Sequence, residues 1–67
     1  MAEEARKLIR QKAVTEITGL ARSSIYDAIR HTGFPKPVKL TERTVAWVES
    51  DVRAWVDERI AASRTDA

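Results

Sequence analysis

Residues 11–32 read QKAVTEITGLARSSIYDAIRHT, and this stretch decides the fold. Its first part places Ala13, Val14 and Ile17 at i, i+1 and i+4, the narrow apolar stripe of a helix of about two turns. Gly19 then ends the helix, because glycine reaches the left-handed conformation of a helix C-terminus without steric cost. Leu20 follows and is expected to fill the turn. The sequence therefore predicts a first helix over residues 11–18.

A second helix is predicted from Arg22 to Thr32, and Gly33 is expected to end it. Ile25, Ala28 and Ile29 follow the i, i+3, i+4 spacing of a face that packs on a core. The opposite face carries Ser23, Tyr26, Asp27 and Arg30. Two short helices joined by a turn too short for antiparallel packing indicate a helix-turn-helix, whose second helix fits the major groove of DNA.

After the second helix, Pro35 and Pro37 prevent helix continuation, and the apolar period changes to two. This alternation predicts a hairpin of two strands around a turn at Thr41–Arg43, with one face of each strand buried. The residues expected on the buried face are Val38, Leu40, Val45 and Trp47, while Lys39, Thr44 and Ala46 are expected on the other face.

A third helix is predicted over about Glu49 to Ala62, with acidic residues at its start, where the helix dipole favours them. The apolar face of this helix is expected to hold Val52, Trp55, Val56 and Ile60. Leu8 and Ile9 predict a short extended segment before the first helix. The chain is therefore predicted to form a single domain over residues 1–67, ordered from about residue 8 to residue 62, with a frayed start and a loose tail at Ser63–Ala67.

Composition excludes several classes of protein. The chain has 67 residues, no cysteine and one histidine, so we expect no disulfide, no metal site and no cofactor. No apolar run is long enough to cross a membrane and no signal peptide is visible, which favours a cytoplasmic, nucleoid-associated protein. No nucleophile–base pair or glycine-rich phosphate loop is present, so we expect neither a catalytic residue nor a small-molecule substrate.

Positive charge is concentrated in the middle of the chain. Residues 22–43 carry five basic and two acidic side chains, whereas residues 44–67 carry three basic and five acidic ones. A surface polarised in this way suits the binding of a polyanion such as double-stranded DNA.

Four segments of the chain resemble the AlpA family of prophage regulators. They read TGLARSSIY at 18–26, GFPKPVKL at 33–40, VAW at 45–47 and VRAWV at 52–56. The resemblance implies a mainly α fold with a small β-hairpin, a winged helix-turn-helix related to the MerR-like and excisionase-like groups. It also implies sequence-specific DNA binding, either as a transcriptional regulator of prophage or integrative-element genes or as an excisionase that bends attachment-site DNA for an integrase.

Three positions depart from the pattern of that family. Ala21 stands where a capping serine is usual, which removes about 1 kcal/mol of helix stability unless Ser23 or Ser24 compensates. Asp27 stands where a basic residue is common; it would repel phosphates, accept a hydrogen bond from cytosine, or neutralise Arg30 or His31. The hairpin turn lacks the glycine that often occurs there.

The residues expected to contact DNA lie on the second helix and the hairpin: Arg22, Ser23, Ser24, Tyr26, Asp27, Arg30, Lys36, Lys39 and Arg43. An arginine in the first turn of a helix opposes the helix dipole and so suggests a nearby anion. The serines are alternatively caps, Tyr26 alternatively a packing residue, and the lysines alternatively solvated charges. The aromatic residues Phe34, Trp47 and Trp55 are expected in the core, in preference to a stacking platform for single-stranded nucleic acid.

The sequence thus favours a DNA-binding regulator whose second helix enters the major groove while the hairpin contacts the flanking backbone. An excisionase is the alternative within the same class. A protein-interaction module that docks on an integrase or a response regulator is the alternative of another class. Expected partners are double-stranded DNA and, in addition, an integrase or a second copy of the chain on DNA.

Overall fold

The computed structural model describes residues 7–65, and the environments of side chains over residues 7–64. Within this part the chain forms three helices and a small antiparallel sheet. In chain order the elements are β1 (Leu8–Ile9), α1 (Gln11–Thr18), α2 (Arg22–His31), β2 (Val38–Lys39), β3 (Val45–Val48) and α3 (Glu49–Thr65). The predicted bounds of the first helix are confirmed, and the second helix ends one residue earlier than expected, with Thr32 as its C-cap.

The turn between α1 and α2 has the geometry that its glycine predicts. Gly19 has φ 77° and donates its amide to the carbonyl of Thr15 at 2.7 Å, which ends α1. Thr18 reinforces the turn, because its hydroxyl donates to Val14 and accepts from the amide of Leu20. Leu20 is half-buried and packs against the core. The turn therefore fixes the direction in which α2 leaves α1.

The core draws at least one side chain from every helix and from the sheet. Val14 of α1, Ile25 of α2, Trp47 of β3 and Val52 of α3 are each fully buried. The indole N–H of Trp47 donates to the carbonyl of Pro35 at 3.1 Å, so the polar atom of this large side chain is satisfied. Trp47 and Phe34 are core residues as expected.

Trp55 is only partly buried, but it also packs in this cluster, with its ring 4.8 Å from that of Phe34 in an edge-to-face arrangement. The three aromatic residues are therefore packing residues, as the sequence predicted.

The sheet has the strand order β1-β3-β2, with both pairs antiparallel. Ile9 pairs with Trp47 at one side of β3, and Lys39 pairs with Val45 at the other. The sequence indicated extended backbone at residues 8 and 9 but not this pairing. The turn at residues 41–44 closes with a bond from the Thr44 amide to the Thr41 carbonyl at 3.4 Å. Among the described residues only glycines have positive φ, so this turn requires no glycine.

The predicted burial of the hairpin is wrong in two respects. Val38 and Leu40 were expected on a buried face, yet they are 41% and 46% exposed. Ala46 was expected to face outward, yet it is 1% exposed. The reason is the register: Val38 pairs with Ala46, so it lies on the sheet face opposite to that of Val45 and Trp47. On that face Ala46 of the central strand is covered, whereas Val38 of β2 is not. Alternation predicts which side chains of one strand share a face, but the register between strands and the covering of each face depend on tertiary structure.

The third helix is longer and less buried than predicted. It continues to Thr65, so residues 63–65 are helical instead of a loose tail. Val52 is fully buried, Val56 is half-buried and Ile60 is 43% exposed, so the expectation of a buried Ile60 is wrong. A helix of 17 residues extends about 26 Å, and its second half extends past the core. The predicted fraying before residue 7 and the last two residues of the tail lie outside the described residues.

Candidate nucleic-acid interface

One face of α2 is open to solvent and carries most of the polar residues singled out in the sequence. Ile25 and Ala28 point into the core and are 0% and 8% exposed. The side of α2 that we call its outer face consists of the exposed residues Arg22, Ser23, Ser24, Asp27 and Arg30. The helix thus has the two faces that its spacing predicted.

An ion pair lies in the middle of this outer face. A terminal nitrogen of Arg30 donates to a carboxylate oxygen of Asp27 at 2.6 Å, and both side chains are more than 60% exposed. Of the three roles considered for Asp27, neutralisation of Arg30 is the arrangement present in the free protein. The pair is worth little to stability, because exposed pairs at i, i+3 contribute about 0.2–0.5 kcal/mol.

The N-terminus of α2 has no side-chain cap. Ala21 occupies the N-cap position in extended conformation, and no acidic residue lies in the first turn. Within residues 7–64 neither Ser23 nor Ser24 makes a side-chain hydrogen bond, so neither replaces the missing cap. The free amides of the first turn and the two exposed hydroxyls are donors that a phosphate group accepts well.

Tyr26 has the character of a packing residue on the side of α2. It is half-buried, and its ring lies edge-on to Trp47 with centroids 6.2 Å apart. It also lines an open cleft beside the start of the helix. The position of Tyr26 is therefore compatible with both roles considered for it. Its ring packs inward against the core, and the residue also lies at the margin of a polar cleft where DNA could contact it.

The basic residues of the hairpin region are all exposed, but they differ in position. Arg43, in the turn, lines the same cleft as Arg22 and Tyr26. Lys39 lies opposite Val45, another lining residue, and directly paired residues of an antiparallel sheet project to the same face. Lys36 lies between two prolines and is not part of the cleft lining. The structure therefore brings Arg43 to the start of α2 and leaves Lys36 apart.

Two cations that the sequence reasoning missed lie in this cleft. Arg10 and Lys12, at the start of α1, line it together with Arg22 and Arg43. We call this space, of about 360 Å³, the cationic cleft. The sequence did contain a signal for these two residues. Like α2, α1 begins with cations and has no acidic residue in its first turn, and for Arg22 this feature was taken to indicate a nearby anion.

Across residues 7–64 no group of three histidine or acidic side chains is placed to hold a metal ion, and the one histidine, His31, is exposed. No helix in the described part of the chain is long and apolar enough to span a bilayer.

Comparison with known proteins places these features in context. Residues 7–60 match the family described as Prophage CP4-57 regulatory protein (AlpA). The chain is 41% identical over 58 residues to a protein of Enterobacteria phage P4 described as Uncharacterized protein ORF88, covering 87% of this chain. The match spans 66% of the length of that phage protein.

A second relative has a described function. The chain is 33% identical over 59 residues to the DNA-binding transcriptional activator AlpA of Escherichia coli (strain K12), covering 79% of this chain and 84% of that protein. No solved structure is a significant match to the chain.

Proposed function

The chain belongs to the AlpA family of prophage regulatory proteins, and from this premise we propose that it is a DNA-binding transcriptional regulator of prophage genes. We assign it the architecture of a winged helix-turn-helix, in which α1 and α2 form the helix-turn-helix and residues 38–48 form the wing. The DNA-binding transcriptional activator AlpA from Escherichia coli, to which the chain is similar over most of its length, supports the proposed DNA-binding function.

In this proposal α2 is the helix that enters the major groove. The observation that carries it is the outer face of α2, which combines exposed cations with hydroxyls and lies opposite two core residues. A helix with its side chains is about 10–12 Å across and the groove is about 12 Å wide, so the outer face fits against base edges. Ser23 and Ser24 lie at the helix N-terminus, where hydroxyls and free amides donate to phosphate.

The wing supplies contacts to the backbone beside the groove. Arg43 lies next to the start of α2 across the cationic cleft, so it contacts the same strand of DNA as Arg22. Lys39 projects from the face of β2 that adjoins this cleft, and Lys36 lies before the strand. These lysines provide charge without base readout, so they raise affinity for any sequence.

The test is binding of the full chain to a duplex selected from random sequences, measured by fluorescence anisotropy over a range of salt. Arg22→Ala with Arg43→Ala removes two cations of the interface, and each lost phosphate contact lowers the salt slope by about 0.9. At 0.1 M salt we therefore expect binding about 8-fold weaker than that of the unaltered protein if both cations contact one phosphate, and about 60-fold weaker if they contact two.

The control removes the same charge from α3, by Arg53→Ala with Arg64→Ala. These residues are exposed and lie outside the cationic cleft and the outer face of α2. An equal loss in both double variants would mean that only net charge matters, and would refute this orientation. Regulation that survives the first double variant in cells would favour a protein-interaction module.

A further inference from the structure

We propose that the cationic cleft binds one phosphodiester group of the DNA backbone, with Arg10, the N-cap of α1, and Lys12 of α1 as additional members of the interface. This inference rests on the proposed function, because it takes DNA as the ligand. It adds that one backbone phosphate is held jointly by the starts of both helices of the helix-turn-helix and by the turn of the wing.

The lining of the cleft points to an anion. Four cations border it, namely Arg10, Lys12, Arg22 and Arg43, and none of its lining residues is acidic. Over residues 7–64 none of these four side chains makes an ion pair, whereas Arg30 and Arg53 each pair with a carboxylate. Four unneutralised cations around one space repel each other, and an anion placed among them removes that repulsion.

The backbone around the cleft also favours binding of an anion. Arg10 is the N-cap of α1 and Arg22 is the first residue of α2, and neither helix has a side-chain cap or an acid in its first turn. Cations at a helix N-terminus oppose the dipole. A phosphate among them is attracted both by the cations and by the two helix starts, which explains why the chain places positive charge at both.

The cleft is held in shape before any ligand arrives. Ile9 pairs with Trp47 in the sheet, and the carbonyl of Arg10 accepts from the amide of Val14 at 3.1 Å, so the backbone at Arg10 is fixed. The amide of Arg43 donates to the Thr41 hydroxyl at 3.2 Å, which orders the turn. Binding then orders only the long side chains, and this lowers its entropic cost.

The neighbouring tyrosine favours a backbone phosphate over a stacked nucleotide base. Tyr26 lines the cleft, but its ring is packed edge-on against Trp47 and is half-buried. A base would need a free aromatic face for stacking. A phosphate needs only hydrogen-bond donors, which Tyr26, Gln11 and the four cations provide.

The experiment combines a protein variant with a neutralised DNA phosphate. The protein variant is Arg10→Gln with Lys12→Gln, and single phosphates of the selected duplex are replaced in turn by uncharged methylphosphonate. For the unaltered protein, we expect one phosphate position per bound chain at which the replacement weakens binding about 8-fold at 0.1 M salt, the effect of one lost contact. The variant should show a smaller loss at that position, because only Arg22 and Arg43 remain beside the phosphate, and ordinary losses at the others.

The controls separate the possible failures. Arg53→Gln with Arg64→Gln removes equal charge from α3 and should leave the methylphosphonate pattern unchanged. Circular dichroism checks folding; if the double variant is unfolded, Lys12→Gln alone replaces it, since this side chain is exposed and makes no described contact.

Two results would refute phosphate binding in the cationic cleft while leaving the proposed function intact. One is a variant that binds the duplex as tightly as the unaltered protein, and the other is a variant that keeps the full loss at every methylphosphonate position. Failure of the unaltered protein to bind any duplex would instead overturn both proposals.

Discussion

Replacement of Asp27 by asparagine should make DNA binding tighter. In the free protein Asp27 pairs with Arg30 at 2.6 Å in the middle of the outer face of α2, so this arginine is neutralised where the proposed interface needs charge. Asparagine has nearly the same shape and keeps an oxygen that accepts from Arg30. The change therefore removes one negative charge from the interface while leaving the helix surface otherwise unaltered.

The size of the effect follows from the number of charges. One additional cation that neutralises a phosphate steepens the dependence of log affinity on log salt by about 0.9. Between 1 M and 0.1 M salt this amounts to a factor of about 8. The variant should therefore bind about 8-fold more tightly at 0.1 M salt and lose this advantage towards 1 M. Loss of the exposed pair should lower the free energy of unfolding by about 0.2–0.5 kcal/mol.

A salt titration followed by fluorescence anisotropy measures this effect, and α3 offers a matched control. Glu49 pairs with Arg53 at 3.1 Å, so Glu49→Gln likewise frees an arginine and raises the net charge by one. This second pair lies away from the outer face of α2, so its loss should change affinity far less than Asp27→Asn does. Equal gains from both changes would refute a local role for the Asp27–Arg30 pair.

The opposite result would identify a different role for the carboxylate. If Asp27 accepts a hydrogen bond from cytosine in the complex, Asp27→Asn would weaken binding to the selected site and change the preferred base at one position. The loss would then be about 1–3 kcal/mol and nearly independent of salt, since base contacts release few counterions.

Three further changes test the fold itself, each by chemical denaturation. Ala21→Ser supplies the missing N-cap of α2 and should raise the free energy of unfolding by about 1 kcal/mol; no gain would mean that the first-turn amides are already satisfied. Gly19→Ala should lower it by about 1–2 kcal/mol, because the space around Gly19 is open and only its φ of +77° opposes a side chain. Ile25→Ala should lower it by about 2–5 kcal/mol and Ile60→Ala by much less, because the first side chain is 0% and the second 43% exposed; similar losses would contradict the described burial.

Local sequence signals determined the helices well. The C-terminus of α1 depends on Gly19, and the inward face of α2 depends on Ile25 and Ala28, so each is decided within a few neighbouring residues. Helix ends and helix faces of this kind can be predicted without knowing which elements pack against them. The uncapped start of α2 was readable in the same way, because the absence of a capping side chain at Ala21 is visible in the sequence itself.

Burial on the hairpin could not be read in this way. Val38 and Leu40 alternate as a buried face does, but Val38 pairs with Ala46, so it lies on the face opposite to Trp47 and is exposed at the sheet edge. Ile60 continues the spacing of Val52 and Val56, yet the helix has left the core by that point. The spacing within each element was correct, but the strand register and the reach of the core depend on tertiary packing, which local patterns do not contain.

The cationic cleft was hidden for a related reason. Arg10 and Lys12 are far from Arg43 in sequence, and their proximity depends on the pairing of β1 with β3. Strands of two residues give almost no periodic signal, so that pairing is not predictable from alternation. A charge cluster assembled from three elements is therefore visible only after the sheet is known.

One buried residue links the stability of this domain to its proposed interface. Trp47 pairs with Ile9, the residue before Arg10, contacts the ring of Tyr26 on α2, and donates to the carbonyl of Pro35 ahead of the wing. Each of these contacts fixes a segment that carries a cation or a donor of the cationic cleft or the wing. A chain this short has few core residues, so the same side chain must stabilise the fold and set the positions of the charges. The spacing of the cations is then only as rigid as the packing around Trp47, and changes that loosen this packing should weaken DNA binding even where every basic residue is retained.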